Sequence, residues 1–242
     1  MAAKQQPRET SNLPIDYAEQ LSKESQDITK RIQSSGGSKI RSSGNRVFIL
    51  PGGVESPEIE GVIVDFTAMN TYYDRPFDRD NPTPPACYAI GTVPSQLVPP
   101  KDVPDRQADN CVTCPLNQFG TALSGKGKAC SNKRVLALLP IDDVEGEIMT
   151  LDVPPGSIQS FDSYVAGLSA KHKTVPIGVI TKVKLDPGQQ YFSPRFEVVR
   201  PTSNAELGGF MGRRDEAQKI IATPPDTSSY EPAKKPGAAR KR

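Results

Sequence analysis

"GVIVDFTAMNTYYD", residues 61–74, is the stretch on which the fold turns. It is rich in β-branched and aromatic residues, lacks proline and reads as a β-strand. The segments around it repeat that reading. "RVFILP" (46–51) before it and "CYAIGTVP" (87–94) after it are strand candidates. "RVLALLP" (134–140) and "EGEIMTLDVP" (145–154) meet at "IDDVEG", which suits a hairpin. "VPIGVITKVKLD" (175–186) and "YFSPRFEVVRP" (191–201) are a further pair, joined at "PGQQ". Between these pairs, "SIQSFDSYVAGLSAKH" puts Ile158, Phe161, Tyr164, Val165 and Leu168 on one helical face. "NAELGGFMGRRDEAQKIIA" (204–222) is a last helix, weakened in its first half by Gly208, Gly209 and Gly212.

Many short strands, few helices and long connections predict a mainly β fold. An OB-like β-barrel is the first choice, with a metal-binding loop inserted in it. The domain is expected over 46–222. Residues 1–14 read as disordered. An amphipathic helix is expected over 15–33, where Ile15, Leu21, Ile28 and Ile32 form a loose stripe suited to packing on the domain or to self-association. Residues 34–45 read as a Gly/Ser linker and 223–242 as a disordered basic tail.

Composition limits the class of protein. A chain of 242 residues with 36% hydrophobic residues, 24 prolines and no tryptophan implies a modest core with irregular ends. The start is polar, without the apolar core of a signal peptide. No apolar run approaches the roughly 20 residues that cross a bilayer. The expectation is a soluble protein of the cytoplasm, that of the host cell if phage-encoded, with no membrane partner. The net charge of +2 is uneven: Lys234, Lys235, Arg240, Lys241 and Arg242 put five positive charges and no acid in residues 233–242. Such a tail favours contact with a polyanion.

All four cysteines fall in one region, at Cys87, Cys111, Cys114 and Cys130. Cys111 and Cys114 have the knuckle spacing by which two thiolates reach one metal from a tight turn. Cys130 follows at ribbon distance, and Cys87 lies on the preceding strand. In a reducing compartment this set reads as a Cys₄ zinc site that staples the proline-rich loop 93–110. An iron–sulfur cluster takes the same four thiolates and is the alternative, with buried free thiols after it. No catalytic set accompanies them. His172 is the only histidine and lies in a polar stretch. "SGKGK" (124–128) lacks the spacing of a phosphate-binding loop, and Asp142 and Asp143 fall in a turn. The chain reads as a non-enzyme.

From Cys111 to Leu139 the charged residues are Lys126, Lys128, Lys133 and Arg134, all positive. Glycines and small polar residues fill the stretch between them. That composition fits a surface tracking sugar-phosphate rather than one reading base edges. Stacking platforms for unpaired bases are sought in Tyr72, Tyr73 and Phe77, with Arg75 among them, and in Tyr88 and Phe119. Strand alternation should bury one of Tyr72 and Tyr73 and expose the other.

The segment reading C-x-x-C-P-x-N-x-F-G-T-x-x-x-G-x-G-K-A-C-x-x-x-R, with "YVAGLSAKHKTVPIGVITKVKLDPGQQYFSPRFEVV" downstream, resembles a family of phage- and plasmid-associated single-stranded DNA-binding proteins. The likeness covers roughly residues 85–200 and is densest in the cysteine segment. It implies zinc on Cys87, Cys111, Cys114 and Cys130, with Lys126, Lys128 and Arg134 facing the strand. Many single-strand binders end in an acidic partner-recruiting tail, whereas residues 233–242 here are basic. The expected function is single-stranded DNA binding in phage replication or recombination, alongside proteins of those processes. RNA meets the same contacts. The alternative is a zinc-stabilised protein-interaction or transcription-regulatory protein without intrinsic affinity for single strands.

Overall fold

In the computed structural model, residues 17, 38–42, 47–76, 78, 80–141 and 143–232 are described. The expected disorder over 1–14 and the tail from 233 lie outside them, as does the helix over 15–33 apart from Tyr17. The chain divides after Gly37, and the second unit, from Ser38, holds the fold.

Among the described residues nine strands form one sheet: β1 (Lys39–Ser42), β2 (Phe48–Ile49), β3 (Glu55–Ser56), β4 (Glu58–Tyr72), β5 (Cys87–Gly91), β6 (Ser131–Pro140), β7 (Met149–Val153), β8 (Val179–Leu185) and β9 (Pro194–Pro201). Their order is β3-β2-β1-β7-β6-β4-β8-β9, with β5 paired to β4. Every pairing is antiparallel except that of β1 with β7. The sheet curls into an open half-barrel, so the fold is mainly β as expected. Three helices of the same described region cover it: α1 (Ile158–Gly167), α2 (Asn204–Gly212) and α3 (Arg214–Ile221).

The continuous apolar run of β6 is explained by burial on both faces. Val135, Ala137 and Leu139 pack with Phe210 of α2 and with Ala217 and Ile221 of α3. Leu136 and Leu138 pack on the opposite face with Phe161 of α1. Phe161 lies edge-on to Phe66 and Phe196, at 5.0 and 5.1 Å between ring centroids.

The fifteen-residue β4 pairs with β6 along one side; along the other it pairs first with β8 and then with β5. A bulge between Ile63 and Asp65 inserts Val64 and reverses the face phase. Before it, Val62 points to the α2/α3 face; after it, Met69 does. Asp65 ties the bulge to α3, accepting from Arg214 Nε at 3.2 Å and Gln218 Nε2 at 2.8 Å.

Three expectations need correction. Residues 39–42, read as linker, form β1, because Ile40 is buried beside β7 and the backbone pairs there. The helix expected over 204–222 is two helices meeting at Arg213. The Arg213 guanidinium donates to the carbonyls of Val144 and Gly146, and Gly209 packs against Val144. Residues 223–232, read as disordered tail, are placed: the Tyr230 hydroxyl donates to Asp74 Oδ2 at 2.9 Å and Arg75 donates to the Glu231 carbonyl. Among the described residues no helix is long and apolar enough to cross a membrane.

Gly61 tests the central ladder. A Cβ there would stand 2.4 Å from the Leu139 carbonyl oxygen. Gly61→Ala is expected to cost about 1–3 kcal/mol by overpacking. A urea titration should show a lower midpoint at unchanged slope.

Candidate functional site

The ends of β4, β5 and β6 gather the cysteines at one end of the sheet. Cys87 opens β5 opposite Tyr72 of β4, and Cys130 stands directly before β6. Cys111 is held by its N–H donating to the Leu97 carbonyl at 2.9 Å, and Cys130 by its N–H donating to the Leu116 carbonyl at 2.9 Å. The loop 93–110 is pinned by Leu97 and Val103, both buried.

All four thiols are buried and unbridged, and they line one small cavity of about 10 Å³. As placed, no three His, Cys, Asp or Glu side chains among the described residues form a metal-holding group. The donor chemistry nevertheless fits a soft cation. Gln107 beside Cys87 and Asn70 beside Cys111 act on those thiols in the direction that favours thiolates, against the larger effect of burial. Asn70 is itself buried on β4 and accepts from Asn132, its cross-strand partner on β6. Burial pushes the Cys87, Cys111 and Cys130 thiols up, the last to about 12, with the neighbouring thiols adding to it. Thiols held protonated by burial, as at Cys87, Cys111 and Cys130, are relieved when a dication replaces the protons.

Between Cys114 and Cys130 the chain forms a loop held by polar side chains rather than by a core. Asn117 donates to the Cys111 carbonyl at 2.7 Å, and Gln118 to the carbonyls of Val112 and Cys114. The Thr121 hydroxyl donates to the Gln118 carbonyl and accepts from the Ala129 N–H. Gly120 and Gly125 adopt φ of 88° and 73°, which glycine supplies at least cost. Two large apolar side chains project from this framework: Phe119 is 81% exposed and Leu123 is 95% exposed. Lys128 Nζ sits 5.2 Å from the Phe119 ring centroid.

Open clefts flank the loop. One, of about 900 Å³, runs between Phe119, Lys128 and Asn132 on one wall and Gly156, Gln159 and Ser163 at the start of α1 on the other. The second, of about 880 Å³, lies between Leu123 and Lys128 and the Tyr72–Arg75 stretch. Lys128 lines both.

The expected contact residues therefore divide. Tyr72, Tyr73, Arg75 and Lys128 share one cleft, and Phe119 and Lys128 the other. Tyr72, the last residue of β4, is half-buried rather than buried, and Tyr73, just past the strand, is exposed. Lys126 is exposed on the loop. Tyr88 is buried and Phe77 lies outside the described residues. Lys133 and Arg134 do not present free charge to this surface. Lys133 Nζ is 2.8 Å from Asp152, which also holds Lys39 at 2.7 Å. Arg134 donates twice to Asp162 of α1, at 2.8 and 3.2 Å, and its side chain is 12% exposed. Leu123 was missed, although a lone aliphatic in a Gly/Ser/Lys loop is a visible signal; the Asn70–Asn132 pair left none. His172 is solvent-exposed and Asp143 lies on an exposed turn, while Asp142 is outside the described residues.

No known protein family, no curated protein and no solved structure matches this chain.

The Asp152 pairing carries a pH signature. Burial alone would raise its carboxyl, and Lys133 with Lys39 outweighs that, so it is held below the ordinary aspartate range. A depressed folded-state value contributes stability above the unfolded pKa, and the contribution fades as pH falls through the folded one. Asp152→Asn should cost about 1 kcal/mol near neutrality, with the difference from the parent closing below about pH 4. Chemical denaturation across pH 3–7, as an assay range of roughly four units around the aspartate value, reads both.

Proposed function

We propose that this chain binds single-stranded nucleic acid without catalysing a reaction, through the cysteine-held loop and the two clefts beside it. The observation that carries this reading is Phe119: a phenylalanine 81% exposed on a hydrogen-bonded loop, with a lysine ammonium over its face. Folding gains nothing from that exposure, so the ring is a contact waiting for a flat apolar partner. A nucleobase stacks there and its phosphate meets Lys128. Tyr73, exposed, lines the second cleft together with Lys128.

In this reading the curled sheet serves as an OB-like platform, and zinc on Cys87, Cys111, Cys114 and Cys130 holds the loop. The metal would crosslink β5, the 93–110 connection and the entry to β6, fixing where the Phe119 ring stands. Single-stranded DNA is the ligand we favour. That the activity serves phage replication or recombination rests on the resemblance of the cysteine segment alone.

The test is anisotropy with a labelled oligonucleotide over a salt series, with DNA and RNA of one sequence compared. Phe119→Ala should weaken binding by about 1–3 kcal/mol with little change in salt dependence. Lys126→Glu with Lys128→Glu should lower affinity and flatten the slope of log K against log salt by about 0.7 for each phosphate no longer neutralised. No binding at low salt, or binding indifferent to all three changes, would sink the reading. Leu123, an aliphatic that cannot stack and is 95% exposed, favours the second reading, a protein-interaction surface. Failure of oligonucleotide binding together with a Leu123-dependent protein complex would install it.

Metal is tested separately. Purified protein should carry about one equivalent of zinc. Cys130→Ser should lose it and lower the thermal midpoint, since a Cys₄ structural site contributes folding energy directly.

A further inference from the structure

The turn joining β8 to β9 carries an aromatic with no place in the core. Tyr191 is 59% exposed, yet the backbone around it is fixed. Asp186 closes the turn: its N–H donates to the Ser193 carbonyl at 2.9 Å and its carbonyl accepts from the Gln189 N–H. Its carboxylate accepts from the Gly188 N–H and twice from Arg195. Phe192, next in the chain, packs into the core edge-on to Phe48, at 5.9 Å between ring centroids. Ser193 is buried, and its hydroxyl meets that of Ser157 at 3.2 Å. That buried pair ties the β8–β9 turn to the residues leading into α1.

The tie sets the Tyr191 ring against Gly156. A Cβ on Gly156 would stand 3.5 Å from Tyr191 Cε2 and 3.8 Å from its Oη. Gly156 belongs to the wall that faces Phe119 across the cleft of about 900 Å³. Having no side chain, it adds nothing between the ring and the cleft. Asp162 is the only acid among the described residues lining that cleft, and Arg134 donates to it twice. The first turn of α1 adds no other. A phosphate chain can therefore follow this wall without meeting an unpaired carboxylate. We propose that Tyr191 is a second base-stacking platform, so that the bound strand runs from Phe119, over the residues leading into α1, to the β8–β9 turn. This rests on the reading of Phe119 and Lys128 as a single-strand contact. An exposed phenol on an immobilised backbone offers a base a flat apolar face at little ordering cost. Platforms on two walls also select for unpaired strands, because the bases of a duplex are stacked on each other and reach neither ring.

Three full-length variants test this with an oligothymidylate of about 16 nucleotides, the upper end of what one such site covers. Tyr191→Ala should weaken binding about fivefold or more, the low end of the worth of one stacked base. The salt slope should not change, since no phosphate contact is removed. Tyr191→Phe keeps the ring and should bind like the parent. Tyr191→Trp places a single indole in a chain that has no tryptophan. Its emission should be quenched as the oligonucleotide saturates the protein, with the midpoint seen by anisotropy of a labelled strand. If the parent binds and Phe119→Ala weakens it while Tyr191→Ala does not, the second platform is absent and the proposal falls. Unchanged indole emission at saturation overturns it as well. Equal losses from Tyr191→Phe and Tyr191→Ala would assign the effect to the hydroxyl and overturn stacking. Absence of binding by the parent is a different result, since it removes the underlying reading and this platform with it.

Discussion

The β4–β6 ladder is the constraint from which the rest of the molecule is built. Ten residue pairs register along it, from Gly61 opposite Pro140 to Thr71 opposite Ser131. Both strands are buried on two faces, so their side chains must satisfy α1 on one side and α2 with α3 on the other. Close approach is part of the arrangement, because Gly61 admits the Leu139 carbonyl where a Cβ would collide. The single bulge at Val64 lets one strand serve two partners in succession. Its first residues pair with β8, the phase then turns over, and its last residues pair with β5.

That ladder also decides where the cysteine region stands. Cys87 and Cys130 lie at the ends of the strands that pair with the far end of β4, and Asn70 and Asn132 meet across the ladder beside Cys111. The loop between Cys114 and Cys130 has too few apolar residues to make a core. It is held by side-chain amides and hydroxyls bonding to its own backbone, and by buried sulfurs beneath it. A loop organised in this way leaves its large apolar side chains outside, which is why Phe119 and Leu123 face solvent while Cys111 and Cys114 do not.

Charge is where reading from sequence and reading from structure part most clearly. The absence of acid between Cys111 and Leu139 makes four cations look equivalent. Two of them, Lys133 and Arg134, lie on β6 and meet Asp152 and Asp162, which come from β7 and α1 further along the chain. Counting charge along a segment registers only local neighbours; an ion pair closed by the next strand or helix is invisible to it. Lys126 and Lys128 sit on the loop rather than on the ladder. Tyr230 shows the converse. A proline- and serine-rich stretch gave no reason to expect a fixed position, since what fixes it is a carboxylate 156 positions away.

Periodicity and composition were enough to reveal the mainly β class, the central strands, the helical face around Phe161 and the clustering of four thiols. These features depend on patterns within a few residues, where apolar spacing reflects which side of a strand or helix is buried. Only the tertiary structure decided that Lys39–Ser42 is a strand, that the sheet stays open, that residues 204–221 are two helices, and which cations and aromatics share a cleft. Each of those depends on a partner distant in sequence: β7 for Ile40, Val144 for Gly209 and Arg213, Asp152 and Asp162 for the cations of β6. Short segments acquire their conformation from the surface they pack against, and that surface exists only once the chain has folded.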